Sequence, residues 1–193
     1  MYNKTIFITG TPGVGKTTVS NLLVDILKDS YDVKLIRIND LAFENNLIID
    51  ENLKKDYKII DIEKLDLYLQ ENINNFLKVE NNKSTIVIVE GHLSHFCSNP
   101  DLVFVLRLNP SILEERLISR NYSSDKIKEN LEAESLAVCS NEAYEIHENK
   151  VNEINTSNLN IDCVVSLILQ VVNNESEFPP GNVNFMDWIL ENF

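Results

Sequence analysis

The chain alternates short apolar runs with longer segments of helical spacing. Residues 5–9 (Thr-Ile-Phe-Ile-Thr) are a β-branched run that ends at a glycine and predict a buried strand. Val19, Leu22, Leu23, Ile26 and Leu27 then recur on one helical face. Residues 33–38 predict a second strand. Asp61 caps a helix whose apolar positions are Ile62, Leu65, Leu69, Ile73, Phe76 and Leu77, and Asn81-Asn82-Lys83-Ser84 breaks that pattern. Residues 86–89 and 102–106 are continuous apolar strands. Asn109-Pro110 starts a helix that runs to about Ser119. A long polar helix is expected over 125–148, a short strand over 151–154, and a helix marked by Ile161, Val164, Val165, Ile168 and Val172.

Two stretches break the alternation. Residues 41–60 are mixed and polar, with Lys54, Lys55 and Lys58, and read as a small mobile lobe outside the core. Residues 173–182 contain Phe-Pro-Pro-Gly and read as a linker to an amphipathic segment at 185–190 that folds back on its own domain.

Strands alternating with helices predict an α/β fold, a mostly parallel sheet with helices on both faces. Ligands of such sheets bind beyond the C-terminal strand ends. Those ends carry Gly10–Thr18, Asn39-Asp40, Glu90-Gly91-His92, Arg107 and Asn155-Thr156.

Composition narrows the classes. At 193 residues the chain suits one main core with at most a small inserted lobe. No apolar run approaches the roughly 20 residues of a membrane span, and the early first strand leaves no room for a signal peptide. Cys97, Cys139 and Cys163 are odd in number and scattered. They are expected as reduced thiols packed like small apolar groups, in a cytoplasmic protein without a zinc site. A net charge of −13 argues against a direct grip on RNA or DNA. The four arginines are Arg37, Arg107, Arg116 and Arg120, three of them within one short stretch, which suggests joint use on phosphate.

The residues Gly10-Thr11-Pro12-Gly13-Val14-Gly15-Lys16-Thr17-Thr18 fit G-x-x-x-x-G-K-[ST], with a strand before and a helix after. Glycines let backbone N–H groups turn inward onto phosphate oxygens, and the helix adds its positive end. Lys16 is expected on the β- and γ-phosphates and Thr17 on Mg²⁺. Glu90 follows four apolar strand residues and is a second candidate for Mg²⁺. His92 lies two residues on and can orient a water or touch the γ-phosphate. His95 has no assigned role. Arg116 and Arg120, four apart, are expected to close over a triphosphate and exclude water, and Arg107 to reach an acceptor phosphate. The guanine-selecting N-K-x-D is missing at both Asn-Lys pairs, 82–85 and 149–152. The chain is too short for a large mechanical ATPase, which leaves a small kinase.

Together with Asn39-Asp40-Leu41-Ala42, Ile60-Asp61, Glu90-Gly91-His92 and Arg120-Asn121-Tyr122, the glycine loop resembles the archaeal and eukaryotic adenylate-kinase-like family that includes the coilin-interacting nuclear ATPase, adenylate kinase isoenzyme 6. The likeness spans residues 4–172. It implies a three-layer P-loop NTPase fold with a five-stranded parallel sheet. A nucleoside-monophosphate lobe is implied near 38–61 and a short lid near 119–129. The implied reaction is ATP + AMP ⇌ 2 ADP with Mg²⁺, beside ATP hydrolysis and a part in small-ribosomal-subunit maturation with a small-subunit ribosomal protein. The alternative is a nucleotide-switched assembly ATPase with little kinase turnover. ATP would meet Gly13, Val14, Gly15, Lys16, Thr17, Thr18, Arg120 and Thr156; AMP would meet Asp40, Asp61 and Arg107; Mg²⁺ would meet Thr17 and Glu90. Three departures stand out: Glu90 where relatives often have Asp, Asn121 where Gly is common, and Phe43 where the human relative has Arg. Lys55 or Lys58 could supply the cation missing at Phe43.

Overall fold

The computed structural model describes residues 3–52, 57–78 and 83–192. Lys54, Lys55 and the expected break at Asn81-Asn82 lie outside them. Five parallel strands form the central sheet: β1 (Asn3–Thr9), β2 (Asp32–Arg37), β5 (Thr85–Glu90), β6 (Leu102–Arg107) and β7 (Val151–Asn155). Their spatial order is β2-β5-β1-β6-β7. β1 therefore sits at the centre, paired with β5 on one side and β6 on the other.

The period-2 alternation of each strand makes two cores. Ile6, Ile8, Ile86, Ile88, Phe104 and Leu106 face α1 (Lys16–Leu27) and α7 (Ile161–Val172). Phe7, Val87, Val89, Val103 and Val105 face the other way, toward α2 (Ile38–Glu44), α3 (Ile62–Leu77) and α6 (Val138–His147). Both faces are covered, which is why these strands read as unbroken apolar runs.

Residues 41–60 are less separate than their polarity suggests. Leu41, Ala42 and Leu47 are buried in the second core. β3 (Ile48–Asn52) and β4 (Tyr57–Ile60) form an antiparallel pair beyond them. The expected long helix over 125–148 is two helices, α5 (Ser124–Ser135) and α6. Ala137 adopts φ 54° between them, a left-handed conformation that ends one helix and redirects the next.

Phe178 and Gly181, expected within a linker, and Val183 just past it are instead fixed to β7. The Glu153 amide donates to the Phe178 carbonyl at 2.7 Å, and the Phe178 amide to Asn152 Oδ1 at 2.9 Å. Glu153 Oε2 accepts from the amides of Gly181 (3.0 Å) and Val183 (3.3 Å). The segment ends in α8 (Met186–Asn192), and Trp188 Nε1 donates to Ser111 Oγ on α4 (Pro110–Ser119) at 2.8 Å.

Glu153 also belongs to a buried charge network. Arg107, 1% exposed, donates from Nε to Glu134 Oε1 at 2.8 Å and from Nη2 to the Glu134 carbonyl at 2.6 Å. Its Nη1 donates to Glu153 Oε1. Glu134 Oε1 accepts the Leu108 amide at 3.0 Å, and Oε2 accepts the Thr11 hydroxyl. Removing one partner of a buried ion pair leaves a charge without compensation. Arg107→Met is therefore expected to cost about 3–5 kcal/mol in equilibrium urea denaturation. A loss below about 1 kcal/mol, the range of exposed pairs, would contradict this reading of the network.

Candidate active site

The loop between β1 and α1 is shaped by glycine. Gly13 has φ +100°, and a Cβ there would lie 2.7 Å from Leu113 Cδ1, so the residue serves both the turn and the close approach of α4. Asp61, Asn109, Ser123 and Asn160 cap α3, α4, α5 and α7 with side-chain oxygens. The N-cap of α1, Gly15, makes no side-chain bond, and the first turn holds no acid. The amides at the start of α1 are thus left for an external anion.

Lys16 is buried in the loop and donates to the carbonyls of Gly10 (2.7 Å) and Thr11 (3.0 Å). Two of its three donors are engaged this way. Burial pushes the ammonium down to about 8, against the opposing pull of Glu90 and Glu134. A bound polyphosphate would supply counter-charge and restore it.

β5 brings the second half of the site. Gly91 follows Glu90 directly, and a Cβ there would lie 2.7 Å from Ile38 Cβ, so only glycine lets α2 start this close to the sheet. Glu90 Oε1 accepts from Thr17 Oγ1 at 3.0 Å. Two hard oxygen donors side by side fit Mg²⁺, which commonly takes few protein ligands and completes its shell with water and phosphate oxygens. Arg37 Nε lies 3.7 Å from Glu90 Oε2. His92 is held neutral, its pKa lowered to about 4 by burial and then by Lys16 and Lys126. His95 has a structural place: its ring nitrogens meet Thr9 Oγ1 (2.7 Å) and Glu142 Oε2 (3.2 Å) at the root of the loop. Burial, then His92, His147 and Lys16, lower it to about 4 as well.

Gly13, Gly15, Lys16, Thr17, Thr18, Glu90, His92 and Arg120 line one cleft of about 640 Å³. Val14 turns its side chain into the core and leaves only backbone at the loop. Arg116 shares no cleft surface with Arg120; its Nη1 donates to the carbonyls of Gly13 (3.3 Å) and Val14 (3.4 Å). Asn121 has φ +58°, the left-handed turn that follows α4.

Four residues expected to meet nucleotide do not line this cleft. Arg107 does not line the cleft: it is 1% exposed, and each of its three guanidinium nitrogens donates to Glu134 or Glu153 inside the core. Thr156 is buried, and its hydroxyl donates to the Arg107 carbonyl at 2.9 Å. Asp61 accepts from the Lys64 amide at 3.1 Å as a helix cap and pairs with Lys64 Nζ at 2.8 Å. Asp40 is not among the residues that line the cleft, whose α2 wall is formed by Asn39, Ala42 and Phe43. The cysteine expectation holds for buried Cys97, while Cys163 is exposed.

Sequence reasoning placed Tyr122 and Lys126 in the lid near 119–129 but named neither as a site residue, although both line the cleft with Arg120, and it assigned no role to Ile48 and Ile60, which line it too. It also missed Glu134, the acid that anchors Thr11. The signal for Glu134 was its place three residues after buried Leu131, on the inward face of an otherwise polar helix.

A family model described as an AAA domain matches residues 6–137. A protein from Methanothermobacter thermautotrophicus named "Putative adenylate kinase" is 37% identical over 96% of this chain and 99% of its own length. A Methanococcus maripaludis protein of the same name is 40% identical over 94% and 95%. The chain belongs to the adenylate-kinase-like family. Its fold is also that of a solved thymidylate kinase from Candida albicans, with TM-score 0.56 and 15% identity over 90% of this chain and 92% of that one. In this adenylate-kinase-like chain no described helix is long and apolar enough to cross a membrane.

All three histidines are lowered, and the two with the larger shifts, His92 and His95, give a pH prediction. Unfolded, each binds a proton near 6.5; folded, each does so only near 4. Between these values the unfolded state holds more protons, so stability must fall as pH drops through that window. His92→Gln combined with His95→Gln should flatten the fall in urea midpoint between about pH 7 and about pH 5. An unchanged slope would mean these imidazoles are not held neutral.

Proposed function

We propose that this chain is an adenylate kinase of the isoenzyme-6 type that transfers the γ-phosphoryl group of ATP to AMP and also hydrolyses ATP. One observation carries the reading. A single cleft joins the uncapped start of α1 on one wall to α2 and the β3–β4 pair on the other, so a phosphoryl donor and an acceptor can share it. The name borne by the archaeal relatives supports the same reaction.

On this reading the loop amides and Lys16 hold the ATP phosphates. Thr17 and Glu90 would hold Mg²⁺, which neutralises charge on the transferring group. Arg120 and Lys126, in the lid region 119–129, add positive charge from the opposite side and help exclude water. Arg116 braces the loop through the Gly13 and Val14 carbonyls. With Arg107, Asp40 and Asp61 withdrawn, Lys58 is the described lysine on the acceptor wall.

The acceptor oxygen of AMP is already ionised and needs no general base. A water does need orienting, and His92 is neutral in the cleft and able to do so. That observation favours a second reading, a nucleotide-switched ATPase in small-ribosomal-subunit maturation. The net charge of −13 suits a basic ribosomal-protein partner better than RNA.

ADP formation from Mg-ATP with and without AMP separates the readings. Strong stimulation by AMP is expected; AMP-independent hydrolysis would favour the switch. His92→Ala should lower ATP hydrolysis by about a hundredfold or more, in the range of a lost proton-transfer group, and AMP phosphorylation by less. Equal losses would contradict that division.

A further inference from the structure

Phe43 stands out on the acceptor wall. It is 70% exposed although its own helix is anchored, with Leu41 and Ala42 buried and Ile38 packed on Gly91. Exposure alone is ordinary for a single apolar residue, but this ring lines a cleft together with other apolar side chains, as ligand sites do. Ile48 and Ile60 line the same cleft from the hairpin, and Asn39 and Lys58 are the polar groups of this wall among the described residues. Asn39 lies one turn before Phe43 on the same face of α2.

We propose that Phe43 is the platform on which the acceptor's base stacks, so that acceptors are chosen by ring area, purine monophosphates over pyrimidine ones. The inference rests on the kinase reading. The physical reasoning is direct. Two isoleucines and an alanine offer the base edge no hydrogen bonds. The Asn39 carboxamide has both donor and acceptor and can satisfy more than one edge. Stacking on an aromatic face is tolerant of base identity and strengthens with the size of the π-system. A phenylalanine also loses little rotamer freedom on binding, and α2 fixes it before the acceptor arrives. Lys58 supplies a compact charge for the acceptor phosphate, which lets the base be held by the ring alone.

The test is steady-state ADP formation at saturating Mg-ATP, with AMP, GMP, CMP and UMP each varied. Wild-type protein should show lower KM for AMP and GMP than for CMP and UMP. Phe43→Ala should raise KM for AMP about tenfold, the scale of one lost base–aromatic stack, with kcat and the KM for ATP nearly unchanged. The gap between purines and pyrimidines should shrink in the same variant, and Phe43→Trp should restore it. An AMP KM unchanged in Phe43→Ala, or a pyrimidine preference in the wild type, overturns the proposal while leaving the kinase reading intact. Wild-type protein that hydrolyses ATP with no response to any monophosphate overturns the kinase reading and this inference with it.

Discussion

The open positive end of α1 is the constraint around which the molecule is arranged. Four other helices cap one early amide each with an Asp, Asn or Ser side chain, whereas α6, away from the cleft, is left without such a cap. α1 begins at a left-handed glycine with no such oxygen. It sits at the end of the central strand of a sheet whose strand ends are the natural seat for ligands. Lys16 is folded into the same loop, and burial already weakens its hold on its proton. Such a cluster of donors is costly without an anion and well matched to one.

What keeps the loop in shape lies beneath it. Thr11 is tied to Glu134, Glu134 to Arg107, Arg107 to Glu153, and Glu153 to the amides of the C-terminal segment. Two carboxylates on one buried guanidinium are stable only because Ser140 and the Leu108 amide add to the oxygens that Arg107 bonds, while Thr11 and the Gly181 and Val183 amides meet the other two. The Phe185 ring, 5.3 Å from the Arg107 guanidinium carbon, adds a cation–π contact. The phosphate loop and the tail are thus two ends of one polar network, although 170 residues of chain separate Thr11 from Gly181.

The sheet and the loop were legible because their patterns are local. A β-branched run, a glycine loop with Lys and Thr, and an apolar helical face follow one another in the first 27 residues. Glu90 was legible for the same reason, standing at the end of an apolar strand. Arg107 misled because its neighbours in sequence resemble those of a strand-end ligand. The two carboxylates that claim it come from residues 27 and 46 positions later, and no local pattern reports such a pairing. Asp40 was one helical step off the cleft face, since the face of α2 depends on whether the helix starts at 38 or later. The division of 125–148 into two helices was hidden because Ala137, in the left-handed conformation, is a residue that ordinarily favours helix.

The central claim is that the start of α1 and Lys16 bind a polyphosphate. The most direct measurement is calorimetric titration of Mg-ATP and of adenosine into wild-type protein and Lys16→Met, with circular dichroism to confirm folding. The account predicts that ATP binds the wild type at least about a hundredfold more tightly than adenosine, the scale of a few lost charge-assisted hydrogen bonds, and that Lys16→Met loses most of that difference. Equal affinity for ATP and adenosine, or a folded Lys16→Met protein that binds ATP as the wild type does, would contradict it.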